Sequence, residues 1–317
     1  MAWNLEIPIF TTDAGEHDAR SFERSGCRDL ISLCREINSG GGQRVRFELN
    51  AVDSYDAGGL TPNIERTIKF LTFFRNSPLL TEAQQPVFRI MIRPRGSKPD
   101  RNSPFRMERL EDFQYSEDEL TQMHDTISQF KKLGADLLSH ERGDGFVFGC
   151  LKRVERRLHG LVLDSNANGQ LISLASPYPC ILHRAFDAVL STRNDPDIYG
   201  PPQSEIPPSS VEELIDQVKG IGFKGVLTSG GWGNAELPSN LMTLTKLGQV
   251  ALRDDGFQLI VGGGVRNTNL WRIQQAMGRK QFQHPDLWLH SSLPRLGAFD
   301  ANLARSFFQA MRQVAEF

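Results

Sequence analysis

The stretch His183-Arg184-Ala-Phe-Asp187, read at the C-terminal end of a strand, gathers an imidazole, a guanidinium and a carboxylate, a set suited to proton transfer and to anion binding. Upstream, Arg44-Val-Arg-Phe-Glu-Leu-Asn50 alternates strictly, so that Val45, Phe47 and Leu49 share one face of a strand and Arg44, Arg46, Glu48 and Asn50 the other. The same alternation sets Arg89, Met91 and Arg93 against Phe88, Ile90 and Ile92, and Glu6 against Leu5, Ile7 and Ile9. An unpaired buried ion costs on the order of several kcal/mol, so Glu6, Arg46, Glu48, Arg89 and Arg93 must pair with one another or meet a ligand. The catalytic candidates are therefore Glu48, Arg93, His183, Arg184 and Asp187. His290, followed by Ser291 and Ser292, is a weaker one of the same kind.

Thr228-Ser229-Gly230-Gly231 and Gly262-Gly263-Gly264-Val265 each follow an apolar run. Glycine there lets backbone N–H groups approach a phosphate or carboxylate, which makes Ser229, Gly230, Gly262, Gly263 and Gly264 anion-binding candidates. Glycine is equally what a tight strand-to-helix turn requires, and neither segment is a Walker loop or a Rossmann fingerprint. The cysteines, Cys27, Cys34, Cys150 and Cys180, show no CxxC spacing. Cys150 ends one predicted strand and Cys180 begins its parallel neighbour, so the two fall at opposite ends of a barrel, while Cys27 and Cys34 lie two helical turns apart. Cu(I) wants thiolate or thioether ligands, so copper is not supported by this spacing and no metal ligand set is assigned.

These residues need a scaffold that brings strand ends together. Short apolar runs at 5–10, 45–50, 87–93, 145–150, 180–185, 225–229, 257–261 and 286–290 alternate with helical patterns, the signature of βα units. Helices are predicted at 116–133, where Ser116 and Glu119 form a capping box and Gly134 a stop, and at 210–220, opened by Ser210 and Glu213. A last one carries Leu303, Phe307, Met311 and Val314 at helical spacing. Eight strand–helix units close most economically into one α/β domain over residues 1–317, a single (β/α)8 TIM-type barrel, with a doubly wound open sheet as the alternative. The polar, Pro-containing segments 97–113 and 191–208 are inserted βα loops, read either as lids or as tolerated surface insertions. The segment 151–168 opens basic, with Lys152, Arg153, Arg156 and Arg157, and reads either as an anion contact or, in preference, as a solvated charged stretch.

Composition narrows the partners. With 36 basic and 38 acidic residues the formal charge is -2, which supplies no field for nucleic acid or for an anionic membrane. No leader pattern opens the chain, no apolar run approaches a membrane span, and the cysteine usage fits a reducing compartment; a cytoplasmic location is expected.

Gly58-Gly-Leu-Thr-Pro62, Met91-Ile-Arg-Pro-Arg95-Gly96, Asp144-Gly-Phe-Val-Phe-Gly149, His183-Arg-Ala-Phe-Asp187, Leu227-Thr-Ser-Gly230 and Gly262-Gly-Gly264 together resemble the copper homeostasis protein CutC family in order and spacing. The resemblance implies the barrel, a cytoplasmic location, homo-oligomers and a role in copper homeostasis through copper binding. Two departures stand out. Relatives often carry cysteine in the first strand and at the end of the second, where this chain has Pro8 or its neighbours and Asn50, and Gly134-Ala-Asp136 is separated from Asp144-Gly145 by an insertion. Two readings follow: a copper-handling protein, or an enzyme acting on a small anionic or phosphorylated ligand at the barrel mouth.

Overall fold

The computed structural model describes residues 3–10, 26–39, 43–96, 112–153, 161–193, 210–295 and 298–316. Eight parallel strands close into a barrel: β1 (Trp3–Phe10), β2 (Gln43–Asn50), β3 (Val87–Met91), β4 (Gly145–Phe148), β7 (Cys180–Leu182), β8 (Gly225–Thr228), β9 (Gln258–Val261) and β10 (Leu287–His290). The ring runs β1-β10-β9-β8-β7-β4-β3-β2, so the first and last barrel strands are neighbours. The (β/α)8 barrel read from the sequence is thus the fold, and the open sheet is excluded.

Helices α1 (Gly26–Ile37), α2 (Ile64–Arg75), α3 (Glu117–Leu133), α4 (Ser165–Ala175), α5 (Ala185–Arg193), α6 (Val211–Ile221), α7 (Pro238–Ala251), α8 (Leu270–Met277), the short α9 (Arg279–Phe282) and α10 (Ala301–Glu316) accompany the strands. Their ends follow local chemistry. Ser116 and Glu119 form the predicted capping box of α3, and Ser210 Oγ accepts from Glu213 N–H at 3.1 Å to start α6. That helix runs past Gly220 to Ile221 and stops at Gly222, whose φ of 112° takes the left-handed cap.

The strands sort their side chains as the alternation requires. Leu5, Ile7, Ile9, Val45, Phe47, Leu49, Phe88 and Ile90 face outward into one continuous core with the helices. Phe47, Phe74 and Phe88 anchor it with ring centroids 5.5–6.1 Å apart. Inside the barrel a separate apolar plug takes one residue from each of six strands: Met91, Val147, Ile181, Leu227, Ile260 and Trp288. On β1 and β2 the inward residues are instead ionic, namely Glu6, Arg46 and Glu48. Buried Arg89 on β3 joins this ionic set, and Arg46 stacks on Trp288 of the plug, so charge and hydrocarbon meet inside the barrel.

Three local readings change. Strands β3 and β7 end earlier than predicted, at Met91 and Leu182, because the chain turns at Pro94 and at His183. Asp187, read at a strand end, sits in the first turn of α5. The basic segment after Cys150 begins with a small antiparallel pair, β5 (Leu151–Arg153) with β6 (Leu161–Leu163), before α4 starts; its alternation is too short to read as strand. A second short pair, β11 (Pro294–Arg295) with β12 (Ala298–Phe299), precedes α10. Most of the insertions 97–113 and 191–208 falls outside the described residues, as do Arg156 and Arg157.

Candidate functional site at the barrel mouth

Strand register places Glu6, Arg46 and His290 at one level, with Glu48 two residues further along β2. Glu6 on β1 is opposite Arg46 on β2 and His290 on β10, and Glu48 is opposite Arg89 on β3. Glu6 Oε2 receives Arg46 Nε at 2.5 Å, and Glu6 Oε1 lies 2.8 Å from His290 Nδ1. Arg46 also donates through Nη1 to Gln258 Oε1 at 2.6 Å and stacks over the Trp288 ring, 3.8 Å from its centroid. Burial by itself would raise the Glu6 carboxyl, but Arg46 and His290 outweigh it and hold Glu6 well below the usual carboxylate range.

Glu48 is shifted in the opposite direction. Burial, reinforced by the Glu6 charge, pushes its carboxyl up despite His290, the Asn50 amide and Arg46. Asn50 Nδ2 donates to Glu48 Oε1 at 3.0 Å, whereas Glu48 Oε2 is buried with no hydrogen-bond partner. His290 is raised: burial opposes its charge, and the carboxylates of Glu48 and Glu6 more than offset that. One oxygen from each of these two glutamates and one ring nitrogen of His290 lie within 4.8 Å of one another.

Around the C-terminal rim, where His290 ends β10, a second arc carries His183, Arg93, Arg184, Asp187 and Ser229. His183 follows β7 directly and is 3% exposed. Its Nδ1 accepts from Ala185 N–H at 3.2 Å, which puts the ring proton on Nε2, and Nε2 is buried without a partner. Burial, then the charges of Arg93 and Arg184, hold this imidazole neutral, well below its ordinary pKa. Phe113 covers it, with ring centroids 4.6 Å apart, and Arg93 lies 4.8 Å from the same phenyl ring. Gly149 makes room: a Cβ there would stand 2.5 Å from Leu182 Cδ1 and 3.0 Å from His183 Nδ1. Arg93 Nη1 donates to the carbonyls of Ala57 and Gly58 at 3.1 and 3.2 Å, which ties the Gly58-Gly59 loop to the rim.

Asp187 is fully buried and fastens the glycine turn. Its carboxylate accepts from Ser229 N–H at 3.0 Å, from the Thr228 hydroxyl and from Arg184 Nε at 2.9 Å. Arg184 Nη2 reaches Ser229 Oγ at 3.0 Å and Gly233 O at 3.3 Å. Among the anion-binding candidates, Ser229 N–H is thus engaged by Asp187, Gly230 N–H by Thr228 Oγ1 and Gly262 N–H by Thr228 O. Gly263 and Gly264 take φ of 80° and 79°, and the Gly263 carbonyl accepts from Ala235 N–H. Much of this loop's polarity therefore holds the loop itself.

Arg184, Asp187 and Ser229 are brought into one network, Arg93 and His183 meet across Phe113, and Glu48 joins Glu6 and His290. The partnership of Glu6 with His290 was not assembled from the sequence. The available signal was closure itself, because a closed barrel makes the first strand and the last strand neighbours.

A family-implied copper ion can be tested against the donors present. Cys34 is buried on α1, Cys150 follows β4 and Cys180 opens β7; Phe146 is the residue opposite Cys180, so Cys150 lies four residues further toward the mouth. Burial raises all three thiols, Cys180 to about 12. Protonated thiols on separate elements do not make a Cu(I) site. The side chain of Cys27 lies outside the described residues.

A closed eight-stranded parallel barrel with helices between its strands and a plugged interior defines a TIM-type α/β barrel. No family model matches the chain. It is similar to the copper homeostasis protein cutC homologs of Homo sapiens, 27% identical with 83% of this chain and 73% of that protein covered, and of Mus musculus, 28% identical with 81% and 70% covered. A CutC family protein of Streptococcus pyogenes is 25% identical, with 80% of this chain and 93% of that protein covered. The crystal structure of CutC from Streptococcus agalactiae matches with a TM-score of 0.56 at 20% identity, covering 93% of this chain and all of that one, and supports the fold. The chain resembles the CutC family over most of its length, as its six motifs indicated.

Proposed function

We propose that this chain is a CutC-like barrel that binds a small anionic or phosphorylated metabolite at its C-terminal mouth and handles a proton there. The observation that carries the reading is a pair of buried, unpartnered atoms at that end: a carboxyl oxygen, Glu48 Oε2, and an imidazole N–H donor, His183 Nε2. A closed core leaves such atoms unsatisfied at a cost of about 1–3 kcal/mol each. A ligand that accepts from His183 and donates to Glu48 recovers it. Arg93 and Arg184 supply positive charge beside His183, and a neutral imidazole among guanidinia suits a developing oxyanion. Asp187 and Ser229 position Arg184.

Copper handling is the second reading, favoured by the names of the relatives. In this chain it calls for ligands other than the three described thiols, or for a site shared between copies. The family resemblance and the free cysteines support a cytoplasmic homo-oligomer, and no described helix is long and apolar enough to cross a membrane.

Calorimetry with a panel of phosphorylated and carboxylated metabolites tests the proposal. We expect salt-sensitive binding that Arg184→Ala weakens by about 1–3 kcal/mol, the range of a charge-assisted contact. Absence of anion affinity in wild type would remove the enzyme reading.

A further inference from the structure

We infer that Glu6, Glu48 and His290 form a binding site for a divalent cation of hard to borderline character, such as Zn2+ or Mn2+. Two carboxylates and an imidazole are a donor set for such ions and not for Cu(I). The groups come from three adjacent strands of one closed sheet, so the barrel fixes their spacing without help from loops.

Two observations support the assignment, the second of which also enters the proposed function. One ligand atom from each residue falls within 4.8 Å of the others, close enough for a single ion to reach all three. Glu48 Oε2 is buried and accepts no hydrogen bond, an acceptor left open in the interior while its sister oxygen is held by Asn50.

Access and orientation are also present. Glu6 and Glu48 are buried, but the His290 side chain is 15% exposed, so the cluster opens toward the mouth through His290. Gly262 lies against that ring, where an added Cβ would stand 3.5 Å from His290 Cδ2 and 2.8 Å from Leu227 Cδ1. Arg46 fixes the second oxygen of Glu6, as an outer partner does for a metal-bound carboxylate. Its charge, with that of Arg89 close by, keeps the affinity moderate. With the cation bound, Glu48 is a ligand, and His183 remains the donor to an anionic substrate, whose negative charge the cation would also attract.

The test uses the full-length protein stripped with a chelator and titrated calorimetrically with Zn2+ alone and with Mn2+ alone. Wild type is expected to bind one equivalent and to melt at a higher temperature with metal. Glu48→Gln, which keeps the shape and removes the charge, and His290→Asn should each weaken binding on the order of tenfold to a hundredfold. A Co2+ absorption spectrum of wild type, which needs no variant to fold, should show ligand-field bands of oxygen and nitrogen donors without a thiolate charge-transfer band. Absence of stoichiometric binding by folded wild type, unchanged affinity in a folded Glu48→Gln, or a thiolate band would each overturn the assignment. The anion panel applied to metal-free protein reports separately on the proposed function.

Discussion

Asp187→Asn is the substitution whose cost the structure defines most sharply. The Asp187 side chain has no solvent exposure and receives Ser229 N–H at 3.0 Å, Arg184 Nε at 2.9 Å and the Thr228 hydroxyl. Arg184 Nε and Ser229 N–H share Oδ2 while the Thr228 hydroxyl takes Oδ1, so asparagine, which keeps the volume but turns one oxygen into a donor, sets an N–H either against Arg184 Nε and Ser229 N–H or against the Thr228 hydroxyl. Hydrogen bonds to a charged group contribute about 1.5–3 kcal/mol each, and breaking a buried ion pair costs about 3–5 kcal/mol. Arg184 is partly exposed, and water recovers some of its loss, so the expected total is about 3 kcal/mol, a factor on the order of a hundred in the folding equilibrium. Equilibrium urea unfolding reads this directly, and amide exchange at Ser229 and Gly230 should accelerate in parallel. A loss below about 1 kcal/mol with unchanged exchange would show that Asp187 does not hold the turn.

Other expectations follow from the same geometry. Gly149→Ala forces a Cβ to within 3.0 Å of His183 Nδ1 and should cost about 1–3 kcal/mol, with a shifted His183 ring resonance; an unperturbed ring would show that the space is not needed. Arg46→Met leaves Glu6 buried beside His290 alone and should destabilise by about 3–5 kcal/mol in urea unfolding, while the Glu6→Met/Arg46→Met pair should recover much of it. Cys34, Cys150 and Cys180 should resist alkylation in the native protein and react once it is unfolded. The raised Cys180 pKa has a defined sign: its contribution is complete below the unfolded value near 9 and is lost as pH rises toward about 12. Cys180→Ala should therefore flatten the alkaline fall in stability, and an unchanged profile would refute this.

The barrel was legible because its evidence is periodic. Val45, Phe47 and Leu49 against Arg46 and Glu48 is a two-residue alternation that only a strand satisfies, and the eight short apolar runs all became barrel strands. The inward ions were legible for the same reason. The pairing of Glu6 with His290 was harder to see, since the two are separated by nearly the whole chain and meet only through closure. The turn of the chain at His183, which carries Asp187 from strand to helix, leaves no periodic trace. Nor does a β5–β6 pair three residues long on each side. The glycine turns have a composition that serves an anion or a tight bend equally; only coordinates show the amides of Ser229, Gly230 and Gly262 engaged within the protein.

A crystal structure of the protein saturated with the tightest ligand of the metabolite panel tests the central claim most directly. The account predicts an anionic group at the C-terminal mouth within hydrogen-bond distance of His183 Nε2, with a donor of the same ligand, or a cation bound with it, on Glu48 Oε2. A ligand seated between the outer helices, or a mouth in which both atoms remain uncontacted at saturation, would contradict it.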